Sequence, residues 1–109
     1  MINITVLQDS AGHCRGYSAE GHAGYADSGY DIICAAVSVL AQNTANAIER
    51  FTPDTIEGEA DEEKGSLRVS FPDGVSGESE LLLKAMISGM EDIADRYGSR
   101  FIRIRYEEV

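Results

Sequence analysis

Gly21-His22-Ala23-Gly24-Tyr25-Ala26-Asp27-Ser28-Gly29-Tyr30-Asp31-Ile32-Ile33-Cys34-Ala35-Ala36-Val37-Ser38 sets an imidazole and a thiol at the two borders of a glycine-punctuated stretch. An imidazole within reach of a thiol can take its proton, pair with the thiolate, and later protonate a leaving group, which is the chemistry of acyl transfer. The spacing predicts a helix opening at Asp31, whose carboxylate would accept from the unpaired N–H groups of the first turn as N-cap. Cys34 then falls in that first turn, where those N–H groups and the helix dipole lower a thiol below its free pKa of about 8.5. The same N–H groups suit the oxyanion of a tetrahedral intermediate. The glycines Gly21, Gly24 and Gly29 around the expected loop, Ala23 to Tyr30, let it fold back to bring His22 to Cys34, with Gly21 as a supporting residue.

Each of these residues also has a plainer use. On an alanine-rich helix a cysteine serves as a small buried hydrophobe, Asp31 as a cap alone, and Ser38, one turn on from Cys34 and on its face, as a hydroxyl bonded back to a helix carbonyl. The chemical use of Ser38 is a hydroxyl offered to the thiolate or the substrate. Cys14, beside His13, has no helix terminus to activate it and reads as structural or merely exposed. The order His13, Cys14, His22, Cys34 contains no close ligand pair, so neither a metal nor another cofactor is called for.

The elements that must position these groups follow from periodicity. Residues 2 to 8 alternate as a half-buried strand, a turn follows at Asp9 to Gly12, and a second strand runs from about Cys14 to Gly21, making an antiparallel hairpin. Ile33, Val37, Leu40, Thr44, Ala47 and Phe51 give one face of a helix over about 31 to 51, ending before Pro53. Its alanines leave a shallow face that a partner helix must approach closely. Two strands, Thr55 to Ala60 and Gly65 to Phe71, flank an acidic hairpin tip. A second helix starts around Ser76 to Ser79, presents Leu82, Leu83, Met86, Ile87, Met90, Ile93, Ala94 and Tyr97, and stops at Gly98. Phe101 to Tyr106 alternates strictly as a last strand. The order ββαββαβ predicts a single α+β domain with a mostly antiparallel mixed sheet packed with two helices.

At 109 residues the chain is long enough for one core. Its 43% apolar and 26% charged residues are ordinary for a globular protein. The 19 acidic against 9 basic side chains, a net charge of -10, disfavour nucleic acid and favour a basic partner. The run Asp54, Glu57, Glu59, Asp61, Glu62, Glu63 is either a solvated hairpin or a docking surface for such a partner. The residues after Met1 are not expected to be a leader, and no apolar stretch is expected to reach the roughly 18 residues of a membrane span. The expectation is a cytoplasmic protein with unpaired thiols and no membrane contact.

Gly21-His22-Ala23-Gly24 followed by Gly29-Tyr30-Asp31-Ile32-Ile33-Cys34-Ala35-Ala36-Val37-Ser38 resembles the signature of the bacterial ribosomal-processing cysteine proteases, and the likeness in length and element order covers the whole chain. That resemblance implies an endopeptidase that removes a short N-terminal extension from large-subunit ribosomal protein number twenty-seven, cutting after a pair of phenylalanines. It also implies Cys34 as nucleophile, His22 as general base and acid, Asp31 and Ser38 near the site, a mobile loop from Ala23 to Tyr30, and a homodimer. The other class left open is a non-enzymatic acidic dimer that binds a basic ribosomal protein and uses Cys34 only for packing.

Overall fold

A computed structural model of the chain describes residues 1–21, 28–61 and 63–109, the side chains of residues 28–31 excepted. The elements are β1 (Ile2–Gln8), β2 (Cys14–Glu20), α1 (Ser28–Phe51), β3 (Glu57–Asp61), β4 (Ser66–Ser70), α2 (Gly77–Tyr97) and β5 (Ile102–Glu108). They give the expected ββαββαβ order. The five strands form one mixed sheet in the order β3-β4-β2-β1-β5. Only β5 runs parallel to its neighbour, β1; the other three pairings are antiparallel. The parallel pairing follows from the long crossover through α2, which a tight hairpin cannot supply.

Alternation in β1 sends Ile2, Ile4 and Val6 into the core, each at most 3% exposed. Their cross-strand partners Ala19 and Tyr17 on β2 are buried with them, because directly paired residues share a face of the sheet. The opposite face carries exposed Asn3, Arg68, Arg103 and Arg105. The core cluster draws on both helices, through Ile33, Val37, Ala41 and Ile48 of α1 and Leu83, Met86 and Met90 of α2. The close approach expected at α1 comes from α2 of the same chain: a Cβ on Gly89 would lie 3.1 Å from Leu40 Cδ1. A side chain there would require the Leu40 side chain to give by a few tenths of an ångström.

The helix ends are fixed differently. At α2, Ser76 is the N-cap and accepts from the Ser79 N–H, within the start expected at Ser76 to Ser79, while Gly98 at φ 91° ends the helix as expected and returns its N–H to the Ala94 carbonyl. Asp54 braces this cap. Its Oδ2 accepts from the Ser76 N–H at 2.9 Å, from the Ser76 hydroxyl at 2.6 Å and from the Ser79 hydroxyl. These hydrogen bonds hold the Asp54 carboxyl below the usual carboxylate range. Asp54 is therefore a cap brace and not part of an exposed acidic surface.

Four expectations are corrected. First, α1 begins at Ser28, so Ser28, Gly29 and Tyr30 belong to the helix and not to the loop, and Asp31 is its fourth residue and not its N-cap. Gly29 weakens a helix interior by about 1 kcal/mol relative to alanine, too little to stop a 24-residue helix with a buried stripe. Second, that stripe is Ile33, Val37, Ala41, Thr44 and Ile48. Phe51, the last residue of α1, is 72% exposed and lies outside that stripe. Third, β3 is displaced towards the hairpin tip by two residues at its start. Fourth, Ile32–Phe51 is a helical segment of 20 residues long and apolar enough, by length and composition, to cross a membrane. Its Ile33, Val37, Ala41 and Ile48 lie in the core, the placement of a core helix.

Candidate active site

Cys34 is half-buried on α1 and lines a cleft of about 460 Å³ between that helix and the ends of β2, β3 and β4. The helical wall is built at four-residue spacing: Cys34, Ser38 and Gln42 lie in line, since residues four apart stack on one face of a helix. Val37 and Ala41, also in the wall, reach into the core behind it. Ser38 is exposed, so its hydroxyl is accessible from the cleft. Gln42 was not singled out from the sequence; continuing the Cys34 to Ser38 spacing by one more turn is the signal that finds it.

The opposite side is set by Gly21, which lines the same cleft. Its φ of 148° lies where only glycine is unstrained, and a Cβ there would stand 2.5 Å from the Met1 carbonyl oxygen and 2.8 Å from the Ile2 Cα. Its N–H donates to the Gly65 carbonyl at 3.2 Å. Glycine is thus required where β2 ends, packed against β1 on one side and tied to the β3–β4 hairpin on the other. Gly21 immediately precedes His22 in the sequence. His22 and the loop residues Ala23 to Asp27 lie outside the described residues, as do the side chains of Asp31 and of Ser28 to Tyr30.

The start of α1 changes the electrostatics expected of Cys34. The unpaired N–H groups of an α-helix belong to its first four residues, here Ser28 to Asp31. Cys34 is the seventh residue, and at 1.5 Å per residue it lies about 9 Å along the axis from Ser28. The effect of a helix terminus on a neighbouring charge fades beyond the first turn. The helix end therefore contributes less to the electrostatics at Cys34 than the expected start at Asp31 implied.

The second thiol has a closed environment. Cys14 is 5% exposed; its N–H donates to Glu80 Oε1 at 3.3 Å and its Sγ to the Gly16 carbonyl at 3.4 Å. Burial pushes this thiol above its ordinary value. Of the two readings of Cys14, the structural one holds. Neither cysteine is in a disulfide, and among the described residues no group of three or more metal-ligating side chains is gathered.

Relatives match over nearly the full chain. A family model described as cysteine protease Prp matches residues 1–102. The chain is 26% identical over 107 residues to the ribosomal processing cysteine protease Prp of Staphylococcus aureus, covering 98% of this chain and 100% of that one. It is 28% identical over 104 residues to the protein of the same name from Bacillus subtilis, covering 89% and 90%. Among solved structures, the S. aureus protease in complex with a substrate peptide superposes with a TM-score of 0.90 at 25% identity, over 98% of this chain and 100% of that one. The same protease with a covalently linked product peptide gives 0.87 at 26% identity, over the same shares of the two chains.

Proposed function

This chain belongs to the cysteine protease Prp family, whose curated members are ribosomal processing proteases, and we propose that it removes the N-terminal extension of large-subunit ribosomal protein number twenty-seven by Cys34–His22 acyl transfer. The observation that carries the proposal is the cleft: the half-buried Cys34 and Gly21, the residue before His22, line the same opening. A relative of the same fold has been captured with a product peptide covalently linked, which supports a covalent route.

In the proposed reaction the His22 imidazole takes the Cys34 thiol proton, and Sγ attacks the carbonyl carbon of the scissile peptide bond. The tetrahedral intermediate collapses, the C–N bond breaks, and the imidazolium gives its proton to the departing amine. The N-terminal fragment stays on Cys34 as a thioester. Water, deprotonated by His22, attacks that thioester; the carboxylic product leaves and the thiol regains its proton. Ser38 lines the cleft one turn along the wall, and in this reading it donates its hydroxyl to a substrate carbonyl. The net charge of -10 suits a basic ribosomal protein as partner. The reading places the enzyme in the cytoplasm as a homodimer, without a metal or cofactor.

The test is incubation with a peptide copying the extended N-terminus, read by mass spectrometry. The native chain should cut after the phenylalanine pair, and Cys34→Ala and His22→Ala should each lose at least about 1,000-fold in rate. Binding of the peptide without cutting would leave a binding protein in place of the protease. Size-exclusion chromatography with light scattering tests the homodimer.

A further inference from the structure

We propose that Ala60, on the edge strand β3, sets the size of the substrate side chain that seats beside Cys34. The inference rests on the protease reading and deepens it. Its basis is a row of paired residues on the helix-bearing face of the sheet: Ile104 on β5 pairs with Ile4 on β1, Ile4 with Ala19 on β2, Ala19 with Leu67 on β4, and Leu67 with Ala60 on β3. Paired residues share a face, so the row is one continuous apolar strip. Its cover gives out along its length. Ile4 is 0% and Ala19 8% exposed, Leu67 is half-buried, and Ala60 is exposed.

The neighbouring row behaves differently. Val6, Tyr17 and Val69 pair in the same way, and Val69 on β4 is only 2% exposed. Cover on β4 is therefore lost at Leu67 and not along the whole strand, and the bare end of the strip coincides with the cleft, which Ala19, Leu67 and Ala60 line together with Val37 and Ala41 of the Cys34 helix. The occupant that completes such a strip is an apolar side chain of the peptide held at Cys34. A peptide is the ligand of this fold in the S. aureus relative. Three alanines among these five apolar residues leave room for a large apolar side chain, while Glu20 and Asp61 line the cleft elsewhere. Successive residues of an extended peptide point to opposite sides, so of two consecutive phenylalanines one seats on the strip and the other faces away.

The experiment measures binding to Cys34→Ala, which retains the cleft and cannot form the thioester. Three fluorescent peptides are titrated by anisotropy: one with the phenylalanine pair, and two with either phenylalanine replaced by alanine. One replacement should weaken binding roughly tenfold and the other far less. Adding Ala60→Leu should weaken the phenylalanine-pair peptide by about tenfold and the peptide lacking the seated phenylalanine by less than twofold. In the chain that keeps Cys34, Ala60→Leu should raise KM with kcat little changed. Circular dichroism checks folding, which an exposed edge position tolerates. No binding by any peptide, equal losses on all three, or no effect of Ala60→Leu would each overturn the proposal. A native chain that binds with this size dependence but never cuts sinks the protease reading and leaves the seat standing; cutting without size dependence does the reverse.

Discussion

The first residue of β2 and the residue just after its last are built for opposite purposes. At Cys14 the thiol is buried, hydrogen-bonded to the Gly16 carbonyl, and held beside the start of α2 through Glu80, whose cap is braced by Asp54, Ser76 and Ser79. At the other end the strand runs out through Gly21 into the Cys34 cleft, whose floor is an apolar strip left uncovered. The closed end satisfies its polar groups internally and fixes a helix; the open end sets a thiol, a hydroxyl and apolar surface along a cleft. In the proposed reading, stability is built at one end of this central strand and chemistry beside the other, with Cys14 of β2 serving the first and Cys34 of α1 the second.

The largest expected difference is in thiol reactivity. Native chain treated with iodoacetamide and mapped by peptide mass should show Cys34 alkylated at least about 100-fold faster than Cys14, since a buried thiol reacts only through local opening. Unfolding in guanidinium should bring the two rates together. Equal native rates would break the contrast.

Backbone geometry at the open end gives the next effect. Gly21→Ala should lower stability by about 2–4 kcal/mol in urea denaturation, because strain at that φ adds to overlap with the Met1 carbonyl. Gly77→Ala, where an added Cβ meets nothing within 4 Å, should stay within about 0.5 kcal/mol of the native chain. A harmless Gly21→Ala would mean the end of β2 is not held as described.

Between the two ends, the Tyr17 hydroxyl donates to the Ala41 carbonyl at 2.8 Å and ties β2 to the cleft wall. Burial pushes its phenol well above the ordinary range, so the hydrogen bond persists across the working pH range. Tyr17→Phe should cost about 1 kcal/mol, the loss of one buried hydrogen bond to a carbonyl that keeps its place in the helix ladder.

An effect no larger belongs to the closed end. Asp54→Ala should cost about 1 kcal/mol through the α2 cap, as read by chemical denaturation near neutral pH. The Asp54 carboxyl is lowered from 3.8 on folding, so its contribution is fully present above that value and is lost as pH falls through the lower folded value. The gap between native chain and Asp54→Ala should therefore close below about pH 4. A gap unchanged by acid would remove the carboxylate from the brace.

What was legible in the sequence was short-range. Ser76 and Gly98 announce the two ends of α2 because capping chemistry involves residues within one turn, and strand alternation fixes which side chains face the core. The start of α1 was not legible: Asp27, Ser28 and Asp31 are all competent caps by type, and Gly29 reads as one of the glycines of the expected loop. Packing along the Ile33 to Ile48 stripe decides in favour of the longer helix. Asp54 was hidden by its company, since a carboxylate beside an acidic run reads as solvated until the fold brings Ser76 and Ser79 to it. The Cys34 cleft was half legible. Its helical wall is a local pattern, but its floor joins residues from β1, β2, β3 and β4, and no sequence spacing encodes the row from Ile4 to Ala60.

The central claim is that Cys34 carries the acyl group. Intact-mass spectrometry of the native chain, acid-quenched during turnover of the phenylalanine-pair peptide, tests it most directly. The account predicts a species heavier by the N-terminal fragment of the peptide less one water, with the added mass mapping to Cys34, and no such species in Cys34→Ala. Product formed at an undiminished rate by Cys34→Ala, or an adduct mapping to Cys14, would contradict it.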